Sequence, residues 1–229
     1  MWSATLSSLR RHWKKAIGCG CLGLLAAAAA SVAVVIFLRS DAAEDFQRDA
    51  DIIRLRHLHY YGSLLEEYRA ATGRYPLQGR EPVPVYVLVG HSDQLRQIPP
   101  GPEYEHVVVP FAELVEELQA GLGRSIEERY DPQLFARYKP NFYIYKVTSA
   151  GFFFAVHTHQ GFPFATRVGD NYFKVEISSI PTELSGALDP SQLLESVEFK
   201  AETGRSVEGA AFFTARERKY LRHSRRRSE

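Results

Sequence analysis

His157-Thr158-His159 is the place in this sequence where side-chain type and spacing come nearest to a chemical site. Alternate residues of a strand face one way, so two imidazoles two positions apart can converge on one metal ion. A strand is predicted there, which makes His157 and His159 a candidate metal pair needing a third ligand such as His106 or Asp170. A second pair, His57-Leu58-His59, falls in a helical pattern, where residues two apart point to different faces. A chelating pair on a helix is normally four apart. Glu113, Glu116 and Glu117 follow three-and-four spacing and read as a solvated helix face, not as an acid–base pair. No Gly-x-Ser-x-Gly elbow, phosphate-binding loop or dinucleotide fingerprint occurs, and Gly121-Leu122-Gly123-Arg124 follows a helical pattern instead of opening one. No cofactor is implied, and no catalytic constellation stands behind an enzymatic reading.

The elements that position these residues are legible from periodicity. From Phe46 to Ala71 the positions Phe46, Ala50, Ile53, His57, Tyr61, Leu64, Tyr68 and Ala71 step by threes and fours, predicting a long amphipathic helix over 44–72. Asp41, Glu44 and Asp45 suit its positive N-terminal end, and Gly73 with Pro76 beyond suits its stop. Strands are predicted at 83–89 and 106–109. A helix opened by Pro110 and ended by Gly121 and Gly123 follows. Three β-rich runs, 142–147, 152–159 and 164–179, are separated by turn residues, and Gly169-Asp170-Asn171 splits the last into a hairpin. The expected sheet is therefore an antiparallel meander. A short helix begins at Asp189-Pro190, and 196–200 reads as a closing strand. The Phe152-Phe153-Phe154 run must place an aromatic ring on each face of the sheet. One face is expected to pack on the 44–72 helix, and the other either to be covered by the 110–123 helix, which is the favoured reading, or to stay exposed as a protein-binding patch.

The charge distribution is uneven although the net charge is only +1. Residues 1–40 carry Arg10, Arg11, Lys14, Lys15 and Arg39 with no acid, and residues 213–229 carry a net +5, which leaves 41–212 at −9. An acidic body with basic ends is the reverse of a nucleic-acid-binding domain, which needs its basic stripe on the folded surface. Residues 16–38 hold no charge and, as a helix, would span roughly 34 Å, enough for a bilayer core of about 30 Å. The basic groups Arg10, Arg11, Lys14 and Lys15 before that run, with acids after it, orient the N-terminus toward the cytoplasm and the body outside it. A cleaved signal ending near Ala33 fits less well, because Val34-Val35-Ile36-Phe37-Leu38 continue the apolar run past the site. The only cysteines, Cys19 and Cys21, lie in this run, so the body has no disulfide framework.

An apolar helix leading straight into an amphipathic one, closed by Tyr68, Gly73, Tyr75 and Pro76 and followed by a β-meander, resembles the type IV pilins and type II secretion pseudopilins. The resemblance lies in DIIRLRHLHYYGSLLEEYRAATGRYP, where Asp51-Ile52, Leu55 and Leu64-Leu65 also contribute, and beyond residue 78 it is one of architecture. It implies a pilin-like α+β fold, with an N-terminal transmembrane helix continuing into a long amphipathic helix packed on the meander. Segments are then cytoplasmic at 1–15, transmembrane at 16–38, extracytoplasmic at 39–212 and a basic tail at 213–229. In that family a peptidase cuts after a glycine that follows basic residues, and a glutamate at mature position five serves assembly. After a cut at Gly18 that position is Gly23, and residues 16–38 contain no acid, so processing and polymerisation do not carry over. The expectation is a structural or scaffolding protein of the bacterial inner membrane, its body periplasmic. Its partners would be the lipid bilayer and membrane or secretion-system proteins, with no nucleic acid and with oligomerisation left open. The alternative is an anchored extracytoplasmic metal-dependent enzyme or ligand-binding sensor using His157 and His159.

Overall fold

The computed structural model describes residues 44–81, 83–96, 107–134, 139–180 and 189–207. The leader with its orienting basic residues, the 16–38 segment and the 213–229 tail lie outside them. Among the described residues no helix is long and apolar enough to cross a membrane. The chain divides after Asp45, and the fold is that of the unit from Phe46 onward.

Helix α1 runs over 44–72 and stops where Gly73 takes φ +79° and donates its N–H to Arg69 O at 2.8 Å. Strand β1 (Val85–Val89) leads to the one-turn helix α2 (Ser92–Leu95), and β2 (Val107–Val109) leads to α3 (Phe111–Leu122). Pro110 is the N-cap of α3, and Gly123 closes it in the left-handed region at φ +65°. Strands β3 (Tyr143–Thr148), β4 (Gly151–Thr158), β5 (Thr166–Arg167) and β6 (Phe173–Ser178) follow, and α4 (Pro190–Leu194) and α5 (Val197–Thr203) complete the order. Together they make an α+β fold with one six-stranded mixed sheet, in the order β2-β1-β3-β4-β6-β5.

Three expectations need correction. The sheet is not a pure antiparallel meander. β1 and β2 are parallel, with Val85 beside Val107, because the chain leaves β1 through α2 and returns in the same direction. β6, not β5, pairs with β4, because the intervening loop leaves the sheet to bury Phe162, which stacks on Phe164 at 5.5 Å. The 196–200 segment is helical, since Ser196 is an N-cap whose hydroxyl accepts from Phe199 N, and that helix buries Phe199 against Phe164.

The third correction concerns the layers. Phe154 stacks on Tyr61 of α1 at 5.2 Å, and Phe152 lies against Tyr75 at 4.6 Å. Phe111 of α3 meets the same Tyr61, and a Cβ on Gly121 would strike the Tyr68 ring at 2.1 Å. Helix α3 therefore shares the face of the sheet that α1 occupies and does not cover the other. Leu193, Leu194 and Phe199 of α4 and α5 join the same core.

Candidate functional site

Near its start α1 carries charges where a core-facing helix would carry leucines. Asp51 and Arg54, one turn apart, are each 0% exposed, and His57 is buried one turn further on. Tyr60 and Tyr61 explain how a partner reaches them. The Tyr60 hydroxyl donates to Glu127 O at 3.0 Å and accepts from Glu127 N at 3.1 Å. The Tyr61 hydroxyl does the same with Arg129 O and N, both at 2.8 Å. These two-way bonds lay the segment after α3 along α1 and deliver Asp131 to Arg54.

Arg54 then makes a bidentate pair with Asp131, Nε to Oδ2 at 2.7 Å and Nη2 to Oδ1 at 2.8 Å. Its Nη1 donates to Asp51 Oδ1 at 2.6 Å and its Nη2 to Gln133 Oε1 at 2.7 Å. Lys139, also buried, donates to Asp131 Oδ2 at 3.1 Å and to Pro140 O at 2.9 Å. Asp51 reaches the exit of β4, accepting from His159 N at 2.9 Å and Gln160 N at 2.8 Å on Oδ2. Gln94 of α2 ties the loop from the far side, donating to the carbonyls of Asp131 and Gln133, both at 2.9 Å. Two carboxylates and two cations thus balance in a space closed to water.

The electrostatics follow from that closure. Burial alone would raise Asp131, but Arg54 and Lys139 hold its carboxyl well below the ordinary carboxylate value. Burial lowers Arg54, yet Asp131 outweighs it and holds the guanidinium above its usual range. Burial, with Arg54 adding repulsion, pushes Lys139 down to about 8. Burial pushes Asp51 up from its ordinary value, against the pull of Arg54 and the amides of Gln160 and His159. All the groups within reach of its two oxygens are donors, which fits a carboxylate and not a carboxylic acid.

The two candidate metal ligands part company here. His159 lies one residue past β4, and its Nε2 meets Gln133 Oε1 at 3.2 Å. That oxygen already accepts from Arg54, so His159 is the donor. His157 stays in the strand with its ring edge-on to Tyr172 at 5.8 Å, and its Nδ1 has no hydrogen-bond partner among the described residues. Burial, followed by the charge of Lys139 for His157 and of Arg54 for His159, pushes both imidazoles down to about 4. Among the described residues no group of three or more His, Cys, Asp or Glu is placed to hold a metal. The helical pair divides as its spacing predicts, with His57 bonded to the Tyr143 hydroxyl at 2.8 Å and His59 exposed against Phe199.

Tyr68, Gly73, Tyr75 and Pro76 form one joint at the other end of α1. Tyr68 donates to Glu117 Oε1 at 3.0 Å, Tyr75 takes Arg69 at 2.8 Å and gives to Glu66 at 3.1 Å, and Pro76 O accepts from Tyr145 at 2.7 Å. Glu117 and Glu113, expected on a solvated face, are half-buried and pair with Arg74 and Arg80, while Glu116 is exposed. The sequence pattern marks Asp51 only within the pilin-like segment and does not single out Arg54, Asp131, Gln133 or Lys139. The signal was there in Asp51 and Arg54, a charged pair one turn apart in phase with Leu58, Tyr61 and Leu65.

Chemically the network can lock three segments together but offers nothing to a substrate. Its acids and guanidinium are saturated by one another and closed to solvent. Fold and site define a two-layer α+β domain whose main helix is locked to the sheet by buried charge. No protein-family model, curated protein or solved structure matches the chain.

Proposed function

We propose that this chain is a single-pass, membrane-anchored, pseudopilin-like structural or scaffolding protein of a secretion or pilus-type assembly. The observation that carries the reading is α1, a helix of seven turns or more that follows a charge-free run and packs on one face of a largely antiparallel sheet. The joint of Tyr68, Gly73, Tyr75 and Pro76 adds to it, because these residues end that helix and fasten it to β3 and β4. In this reading 16–38 sits in the inner membrane with 1–15 cytoplasmic, and the body acts outside by contact with membrane or secretion-system proteins. The rival metal-dependent enzyme or sensor has less support, since His157 and His159 serve different neighbours.

Expression of the full chain in a bacterial host tests the reading. An intact mass of about 25.9 kDa, release from membranes only by detergent, and digestion of the body by protease added to spheroplasts are expected, with cross-linking into larger membrane complexes. A soluble product cut near Ala33, or a body protected in intact spheroplasts, overturns it.

A further inference from the structure

On the solvent side of α1 Arg56, Arg124 and Arg129 line one cleft of about 350 Å³, together with Tyr60, Ser63 and the carboxylate of Glu67. Arg56 is held without a carboxylate. Its Nε donates to Thr203 O at 2.8 Å and its Nη2 to Arg205 O at 2.5 Å, so two neutral carbonyls fix the group and leave its charge uncompensated among the described residues. Arg129 lies over the Tyr60 ring at 3.9 Å and pairs with Glu127 at 2.7 Å. Arg124 pairs with Glu67, both half exposed. Exposed pairs of this kind contribute about 0–1 kcal/mol, so either arginine can turn to a better acceptor at little cost. Arg124 and Arg129 are balanced by Glu67 and Glu127, so Arg56 is the one of the three held by neutral carbonyls alone among the described residues, and an anion entering the cleft is drawn to it first. A tetrahedral dianion suits the three, because each guanidinium can offer parallel N–H donors to a different pair of its oxygens.

We propose that this cleft binds a small phosphoryl-bearing anion, with Arg56 as the anchoring cation, Arg124 and Arg129 as further donors and the Ser63 hydroxyl at the rim. The site belongs wholly to the folded body and stands whether or not the chain is a scaffold. The same phosphoryl chemistry is offered by free phosphate compounds and by phospholipid headgroups.

Calorimetric titration of the detergent-solubilised full chain at low ionic strength tests it, with inorganic pyrophosphate in one arm and dihexanoyl phosphatidylglycerol below its micelle concentration in the other. Pyrophosphate is expected to bind with a Kd of roughly 0.1–1 mM, weakening as salt is added. Arg56→Gln is expected to weaken binding at least tenfold. Because that variant also loosens the end of α5, Ser63→Asp provides a second reading: it puts a carboxylate in the cleft, leaves the Arg56 contacts in place, and should abolish binding with the unfolding midpoint unchanged. Binding of the lipid alone, lost in both variants, supports the site and assigns the phosphoryl group to a headgroup. Binding of neither probe, or binding undiminished in the two variants, overturns the proposal.

Discussion

The two halves of α1 are built on opposite plans. From 49 to 55 each residue is buried, and the contact with the sheet end is made by charge, Asp51 and Arg54 against Asp131, Lys139 and the amides of His159 and Gln160. From 59 to 72 the helix is amphipathic. Tyr61, Leu64, Leu65 and Tyr68 are buried while His59, Ser63 and Glu67 are exposed. The aromatic half is held by area removed from water, which tolerates small displacement. The charged half is held by donors and acceptors that fit in one register only, at a desolvation cost that apolar residues would not incur. One half supplies adhesion and the other fixes position.

The sharpest break is Arg54→Met. It leaves Asp51 and Asp131 buried without their cation, and a loss of about 3–5 kcal/mol is expected in denaturant unfolding of the solubilised chain. Replacing Asp51, Arg54, Asp131 and Lys139 together by apolar residues of similar size, so that no buried charge is left unpaired, should recover much of that loss. Failure to recover would mean that the network adds net stability as well as register.

Acid strikes the same half. Burial, then the charge of Arg129, pushes His57 down to about 4, below its ordinary 6.5. Its contribution is complete above pH 6.5 and is lost as pH falls toward 4, where the unfolded chain binds the proton and the folded chain does not. The loss is about 3 kcal/mol, and buried His157 adds to it in the same window. His57→Gln should flatten the fall in stability between pH 6.5 and 4, and an unchanged slope would remove His57 from the account.

The aromatic half is tested by Gly121→Ala, which drives a methyl group into the Tyr68 ring and should cost about 1–3 kcal/mol. Hydrogen exchange should then quicken in 61–72 and stay unchanged in 49–58. The smallest effect is expected at the exposed back, where Glu67→Ala removes the partner of Arg124 and should shift stability by about 0–1 kcal/mol. A larger shift would show that the cleft, too, helps to hold the helix.

Legibility in the sequence divided between local pattern and long-range contact. Periodicity located the whole of α1, from 44 to 72, together with its stop at Gly73, because apolar residues recur along it at the helical period. The caps of α3 and the turns between β3, β4 and the β5–β6 hairpin were legible because Pro and Gly act locally. The network was not, because Asp131 and Lys139 reach Arg54 through the Tyr60 and Tyr61 hydroxyls, a long-range arrangement with no local pattern. In phase with the core, Asp51 and Arg54 look solvated until their partners are known. The 196–200 segment misled for a related reason: Val197 and Phe199 alternate like a strand, and the Ser196 cap that starts a helix is a weak signal beside them. The strand is legible through His157, but it ends at Thr158 and leaves His159 outside, so alternation does not govern where the second ring goes.

The sheet ends in very little strand. β2 at one margin has three residues and β5 at the other has two, and the Arg167 guanidinium of β5 folds back onto the carbonyls of Gly169 and Asp170. Among the described residues, β2 and β5 themselves offer an arriving strand only a few backbone groups to pair with. Crowded copies of this domain would therefore resist fusing into cross-β aggregates, and lasting contact between them would have to form through side chains on the faces of the molecule.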